Sequence, residues 1–512
     1  MDMSNINLIP YPYLLKSNKG ICNFEKSEIP VTGSFEQEKL CSINLLIEAF
    51  GFSFSPASEK SFNVPFVEIN HINDDIFDSY DLTVPDSYYM KITESKVSIV
   101  SKSQSGLFYG FITLSQLLME GGKVECCQIY DKPEYEWRGF LLDTCRTFFS
   151  AEFVKKIIRL CALHKMNKFH WHLTDDQGWR VNIEKYPLLT KIGSIRKANT
   201  NPESLVGDFD GVKFERYYYT DDEIKDVVEY AKNFNIEIIP EVEFPGHATA
   251  LLASYPEYGC TKGPYSVETR WGIFDDVLCL GQDKIFDFFK AVLEKITKLF
   301  PGDYIHIGGD ECPTVRWNKC PDCQKRIKEL NLKNESQLQS WGTKKITDLV
   351  LSFGKKPIGW DEIIDNTDLI PLNKDVIVQS WRGIEGGEKA SAQKHKVIMS
   401  PVEFCYLDHK PIASAEEPGR LGVVTLEKTY EFTPITKNMS KEASEYVLGG
   451  EATLWTEELG YSRHAEYMLL PRLCSLSESL WLSPENKNWT RFKGSVGEHR
   501  NKLEKLGYLC SL

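Results

Sequence analysis

No stretch of this 512-residue chain approaches the roughly 20 apolar residues that a membrane span needs. The N-terminus, MDMSNINLIPYPYLLK, lacks a basic segment followed by an apolar run, so it does not read as a signal peptide and a cytoplasmic location is expected. Positive charge is short: 60 Lys and Arg stand against 73 Asp and Glu, a net charge of −13. That balance argues against a nucleic-acid partner or an anionic membrane surface. There is no Walker-type phosphate loop, no Gly-x-Gly-x-x-Gly after a strand, and no Ser in a nucleophile elbow. Nucleotide cofactors and serine-hydrolase chemistry are therefore not indicated, and no cofactor is expected. No solenoid-type repeat is visible. The 14 cysteines do not complete a metal motif. Cys320-Pro-Asp-Cys323 has a metal-like spacing, but no second CxxC or nearby His pair accompanies it, so structural or free thiols are expected and no metal. Cys126, Cys127, Cys260, Cys279 and Cys312 include candidates for a disulfide if the protein is exported. The triplets at Asn334, Asn438 and Asn488 match glycosylation acceptors, which matter only in a secretory compartment.

What is present is a long chain, 42% hydrophobic and 12% aromatic, with 11 Trp and 23 Tyr. It can bury a large core and hold more than one domain. Aromatic faces stack on sugar rings, although most aromatics pack cores. Residues 1–130 read as a separate, non-catalytic α/β unit. Its strand-like pieces are 65–70 and 96–100, and its amphipathic helices 36–50 and 106–119. Asp74, Asp75 and Asp78 read as a solvated loop.

From residue 131 to 512 apolar strand-like runs alternate with helices, the pattern of parallel β/α architecture. The runs fall at 139–143, 169–173, 236–241, 304–307, 356–360, 376–380, 397–400 and 446–449. Ser150 is placed to cap a helix at 151–164, Thr220 with Glu223 has capping-box spacing before 224–234, and 284–300 shows helical periodicity. Eight such units and a C-terminal helix predict a (β/α)8 barrel with enlarged loops near 176–219 and 245–283 at the catalytic mouth.

The run Tyr304-Ile-His-Ile-Gly-Gly-Asp-Glu311 reads as a strand that stops at two glycines and presents two neighbouring acids, Asp310 and Glu311. Neighbouring acids in a confined site do not both ionise easily, which suits one to acid/base work and the other to charge stabilisation. The other strands run into Asp143 and Arg146, into His170, His172, Asp175 and Asp176, into Glu241, Glu243 and His247, into Trp360 with Asp361 and Glu362, into Trp381, into Tyr406 and Asp408, and into Trp455 and Glu457. A lone Asp or Arg is usually a surface charge or structural ion pair, and a lone Trp usually core. The joint pattern differs, because these groups gather at the strand ends where barrel enzymes do chemistry. His170-Trp-His172 has spacing that allows a metal, but packing and hydrogen bonding are the favoured reading.

The strings Leu142-Asp-Thr-Cys-Arg146, His172-Leu-Thr-Asp-Asp-Gln177, Phe244-Pro-Gly-His247, His306-Ile-Gly-Gly-Asp-Glu311, Tyr406-Leu-Asp408 and Leu454-Trp-Thr-Glu457 together resemble the β-N-acetylhexosaminidases of glycoside hydrolase family 20. The resemblance implies Glu311 as general acid/base, Asp310 as the carboxylate that orients the substrate's 2-acetamido group, and Tyr406 as its hydroxyl partner. It implies aromatic walls from Trp360, Trp381 and Trp455, and sugar-hydroxyl contacts from Arg146, Asp175 and Glu457. Asp408 would contact the hydroxymethyl side, and His247 would support the acids. The family is substrate-assisted: the acetamido oxygen attacks the anomeric carbon, giving an oxazolinium ion and net retention. Glu311 must then start protonated, which burial and the Asp310 charge are expected to promote. Two positions depart from the usual pattern, Glu243 where Asp is common and Thr147 where His is common. The implied activity is exo-hydrolysis of terminal β-linked GlcNAc or GalNAc from an oligosaccharide or glycoconjugate. Alternatives are a lacto-N-biosidase-like relative that releases a disaccharide, a non-catalytic sugar-binding barrel, and a metalloenzyme using the histidines. The natural glycan and the oligomeric state are not legible.

Overall fold

The structure is a computed structural model that describes residues 6–25, 28–58, 64–70, 80–196, 215–366 and 370–511. Asp74, Asp75 and Asp78, and part of the 176–219 insertion, lie outside the described residues.

The first unit is a seven-stranded mixed sheet. Its order is Leu14–Asn23, Lys123–Asp131, Tyr88–Ile92, Lys96–Val100, Phe66–Asn70, Glu28–Thr32 and Ser53–Pro56. Helices Gln37–Ile47 and Gln104–Leu118 belong to this unit. The second helix starts where Ser103 accepts from the Gly106 N–H and is buried along most of its length, which makes it the core of the unit. Five of these strands were not expected from sequence. Leu14–Asn23 alternates weakly and changes register between Ser17 and Ile21, so it carries little periodic signal.

Eight parallel strands then close into a barrel: Trp137–Asp143, Lys168–His172, Glu237–Glu241, Tyr304–His306, Lys356–Trp360, Ile377–Ser380, Val397–Met399 and Val447–Leu454. Each expected run supplies one strand, in the expected order. Ser150 accepts from Phe153 N–H at the head of Ala151–Leu163, and Thr220 and Glu223 form the capping box of Asp221–Asn233. Lys284–Leu299 lies where the periodicity placed it. The last strand runs past Gly449 and Gly450 to Leu454, further than the glycine pair suggested.

Sheet and barrel are joined through buried Asp131. Its carboxylate accepts from Lys165 Nζ at 2.6 Å, Tyr88 Oη at 2.8 Å and Trp481 Nε1 at 2.8 Å. Removing one partner would leave a buried charge uncompensated, so this cluster pins the orientation of the two units. No two cysteines are bonded to each other. Cys260 and Cys279, expected only as disulfide candidates, instead converge on Cys320 and Cys323. Two of the three acceptor triplets use their Asn as helix caps: Asn334 accepts from Gln337 N–H and Asn488 from Arg491 N–H. Among the described residues no helix is long and apolar enough to cross a membrane.

Candidate active site

The parallel register sets Asp143 beside His172, His172 beside Glu241, and Glu241 beside His306, so the first four strands end in one polar layer. Glu241 is its hub. Its carboxylate lies 2.7 Å from His306 Nδ1, 3.1 Å from His170 Nε2 and in short contact with His172 Nδ1, and it accepts from Trp360 Nε1 at 2.9 Å. Burial opposes ionisation of Glu241, but His306, His172 and His170 together hold it well below the usual carboxylate range. His170 Nδ1 meets Glu451 at 2.7 Å and His172 Nε2 meets Asp175 at 2.8 Å. The two histidines thus serve a hydrogen-bonded floor. Glu243, the first departure, is buried with Oε2 lacking a partner; burial, then the Asp310 and Glu241 charges, push its carboxyl well up, so it stands neutral. Thr147, the second, donates to the Thr456 and Leu459 carbonyls at 3.1 and 2.7 Å, tying the ends of the first and last barrel strands.

Arg146 rises from this floor. Its guanidinium meets Asp175 at 2.9 Å, Asp143 at 3.3 Å and Glu457 at 4.0 Å, and sits 5.2 Å over the Trp455 ring. Asp175 is 2% exposed and is occupied by Arg146, His172 and, at 3.3 Å, His247. It therefore lies behind the pocket and orients those side chains, whereas the sequence reading gave it a direct sugar contact. Burial raises its carboxyl, but Arg146 and His247 outweigh this and hold it well below the ordinary range.

The fourth strand delivers the acid pair through a turn that needs its glycines. Gly308 and Gly309 have φ of +65° and +101°. A Cβ on Gly308 would lie 1.8 Å from Glu243 Oε2, and one on Gly309 would lie 2.6 Å from Ile363. The close approach that glycine permits is thus to Glu243 and Ile363. Glu311 itself has φ +43°, a left-handed conformation that costs a non-glycine residue about 1–3 kcal/mol and clusters at functional sites. His247 Nε2 is 3.6 Å from both Asp310 Oδ2 and Glu311 Oε2, while its Nδ1 is 3.0 Å from Asp176. Burial disfavours the imidazolium, but the Asp175 and Asp310 charges raise His247 well above the ordinary histidine value. It is charged at neutral pH. That charge corrects one expectation. Burial does push the Glu311 carboxyl up, but the nearby His247 imidazolium, with Arg146 and Arg420, brings it below the ordinary value. The sequence reading counted burial and Asp310 and had no way to count the imidazolium.

Aromatic rings wall the pocket. Trp381 stacks on Tyr406 with centroids 6.2 Å apart and planes at 26°, and Trp455 lies 6.3 Å from Tyr406 and 5.9 Å from Trp360. Trp381 is held by Glu362, to which its Nε1 donates at 3.0 Å. Burial, then the Asp310 and Asp361 charges, push the Glu362 carboxyl up to about 9. The pocket is lined by Arg146, His247, Asp310, Glu311, these four aromatics, Glu457 and Arg420. Asp408 is not in the lining; it is 2% exposed, neither carboxylate oxygen has a partner outside its own residue, and burial with the Glu457 charge pushes it up to about 7. One lining residue was missed from sequence. Arg420, which donates to Glu457 at 2.8 Å, lies in a segment with no motif. Asp176, named at the strand end but given no role, holds His247. Larger clefts elsewhere, between residues 6–11 and the final helix and at the N-terminal ends of the barrel strands, lack this convergence of acids and rings.

Comparison with known proteins agrees with this geometry. The family model described as "Glycosyl hydrolase family 20, catalytic domain" matches residues 135–484, and "Glycosyl hydrolase family 20, domain 2" matches 5–132. A beta-hexosaminidase of Porphyromonas gingivalis is 40% identical over 419 residues, 80% of this chain and 52% of that protein, so the chain spans about half of that relative's length. A beta-hexosaminidase of Akkermansia muciniphila is 32% identical over 428 residues, 82% of this chain and 84% of that one. The crystal structure of a GH20 exo β-N-acetylglucosaminidase from Vibrio harveyi, in complex with N-acetylglucosamine, superposes with a TM-score of 0.85 at 28% identity, covering 99% of this chain and 78% of that one. A mutant Streptomyces plicatus beta-hexosaminidase in complex with product (GlcNAc) gives 0.82 at 26% identity, covering 98% and 96%. With both of the family's domains matched in order, the chain belongs to glycosyl hydrolase family 20.

Proposed function

We propose that the chain is an exo-acting, retaining β-N-acetylhexosaminidase that removes terminal β-linked GlcNAc or GalNAc by substrate assistance. One observation carries the reading. Buried polar atoms at a single small pocket lack protein partners: Asp310 Oδ1 and Glu457 Oε2 in its lining, and both oxygens of Asp408 buried near Glu457. Buried polar groups in folded proteins are almost always satisfied, so a cluster of orphans at one site calls for a ligand rich in N–H and O–H donors. A sugar with an amide is such a ligand. Asp310 stands beside rings that suit an acetamido methyl, and Arg146, Arg420 and Glu457 suit the hydroxyls of a terminal residue.

In this reading Asp310 accepts from the acetamido N–H and stabilises the positive charge that grows as the amide oxygen attacks the anomeric carbon. Such an interaction strengthens only as the bond breaks, and therefore lowers the barrier selectively. Tyr406 holds the other end of the amide. The proton for the leaving oxygen is stored on His247, 3.6 Å from Glu311. Imidazolium plus carboxylate contains the same single proton as imidazole plus carboxylic acid, so the pair titrates as a unit. A glycosidic oxygen that draws the Glu311 carboxyl away from His247 removes the contact that lowers it and leaves burial to favour the acid form. Glu311 then returns the proton balance by acting as base toward water, which opens the oxazolinium ion with retention. Aryl N-acetyl-glucosaminide and galactosaminide assays test the reading. Glu311→Gln should lose ~10²–10⁴-fold in kcat on substrates with poor leaving groups. Near-normal turnover in that variant removes Glu311 from the role.

A further inference from the structure

The Cys320-x-x-Cys323 pair stands at the head of the helix Pro321–Glu329. Two single cysteines reach it from the insertion after the third barrel strand: Cys260, just beyond the turn Pro256–Tyr258, and Cys279, on a segment bridged to Gly259 through Leu278. Cys279 Sγ is 3.6 Å from Cys320 Sγ and 3.7 Å from Cys323 Sγ, and Cys260 Sγ is 3.8 Å from Cys323 Sγ. All four sulfurs lie within 4.8 Å of one another. Zinc–sulfur bonds of about 2.3 Å set the edges of a tetrahedral four-sulfur site at ~3.8 Å. A disulfide would instead bring two sulfurs to about 2.05 Å and leave the other two unmatched. Buried cysteines elsewhere, such as Cys161, sit singly in the apolar core.

The surroundings suit an anionic metal complex. Cys320 is the N-cap of its helix and Cys323 lies in the first turn, where the unpaired backbone N–H groups favour negative charge. Gly281 N–H faces the Cys279 sulfur. A Cβ on Gly281 would lie 2.2 Å from the Asp322 backbone, so glycine is what lets the insertion approach the helix head. Lys262 Nζ lies 3.8 Å from Asp322 and Gln282 Nε2 donates to the same carboxylate at 2.8 Å, a shell that orients the metal-binding turns.

From this geometry we infer that Cys260, Cys279, Cys320 and Cys323 form a structural zinc site. Each thiol releases its proton to solvent as the ion binds, leaving four thiolates on one Zn²⁺ with no open position for catalysis. The spacing rule missed it because the second pair is not a CxxC. The site clamps the insertion to the segment that leaves the acid pair. Leu278 N–H donates to Pro245 O at 3.1 Å and Trp317 Nε1 donates to Leu278 O at 2.8 Å, so the Phe244–His247 turn and the chain after Glu311 are tied at one point. The ion would therefore act by positioning, at a distance from the chemistry.

Metal analysis of the full chain, purified under reducing conditions without chelator, tests this directly. The expected result is one zinc per chain, released when the thiols are titrated with an organomercurial. Refolding with cobalt should give the intense visible and near-ultraviolet bands of a tetrathiolate site. Cys320→Ser with Cys323→Ser should abolish both signals and lower Tm by several degrees. Should that double variant fail to fold, Cys260→Ser, at the half-exposed corner of the cluster, should bind zinc more weakly in a competition with a chromogenic chelator, while Cys474→Ser, remote from it, keeps its zinc. Zinc far below one per chain, with no rise in Tm when zinc is added to the reduced protein, overturns the inference. So does iron in its place, a cobalt spectrum lacking thiolate bands, or a disulfide between two of the four.

Discussion

The imidazole of His247 stands 3.6 Å from both Asp310 and Glu311 and is held by Asp176 from behind. Asp175 and Asp310 raise its value, and its charge in turn lowers Glu311, so the proton of the pair rests on the imidazole. A general acid works while the pair keeps that proton, so activity is lost as the pH rises through the pair's apparent value. With His247 present, the alkaline limb of kcat/KM should lie above pH ~6.5. His247→Gln removes the store and leaves Glu311 to hold the proton alone. The limb should then move toward the ordinary glutamate value of ~4.3, and kcat/KM at pH 7 should fall at least about tenfold. An unmoved limb in that variant separates His247 from the proton balance.

At the scale of elements, the barrel works because its strands stop in step and the turns beyond them are built for close approach. The turn at Gly308 is the tightest. Gly308→Ala places a side chain where φ is +65° and where Glu243 already stands. It should cost about 2–5 kcal/mol in unfolding free energy, read by denaturant titration, with loss of activity as Asp310 and Glu311 shift. Equal stability would mean that Glu243 is free to move aside. The barrel strands were legible in sequence because each is a short apolar run bounded by polar residues, and the helices because Ser150, Thr220 and Glu223 are real caps. Asp310, Glu311 and the site tryptophans were legible as groups at strand ends, and the folded chain gathers them in one pocket. Asp175 was given a sugar contact, whereas the folded chain puts Arg146 and His247 on it. Arg420 and the Cys260–Cys279 half of the thiol cluster were illegible because distant loops supply them. Leu14–Asn23 was missed because a half-exposed edge strand carries weak alternation.

For the whole molecule, the helix Ala151–Leu163 and the last helix, Trp489–Lys505, meet through two buried histidines. His164 Nδ1 donates to Leu160 O at 2.8 Å, so its Nε2 accepts from His499 Nε2–H, also at 2.8 Å. The accepting ring of the pair must be neutral. Burial pushes His164 down to about 4, and burial with the His164 and Lys502 charges pushes His499 well down. As the pH falls from ~6.5 toward 4, the unfolded chain takes up protons that the folded chain refuses, and stability is lost through that window, about 3 kcal/mol for His164 alone. Thermal melts from pH 7 to 4.5 should show this loss, and His164→Gln combined with His499→Gln, which removes both titrations, should flatten it; a parallel curve in the double variant would place the acid sensitivity elsewhere. The central claim concerns the reaction: the sugar's own amide displaces the leaving group while Asp310 and Glu311 attend it. Its most direct test is kcat/KM for aryl glucosaminides whose N-acetyl group carries none, one, two or three fluorines. Each fluorine weakens the amide oxygen as a nucleophile, so the account requires a steep stepwise fall across the series, whereas rates that stay level across it would contradict the displacement outright.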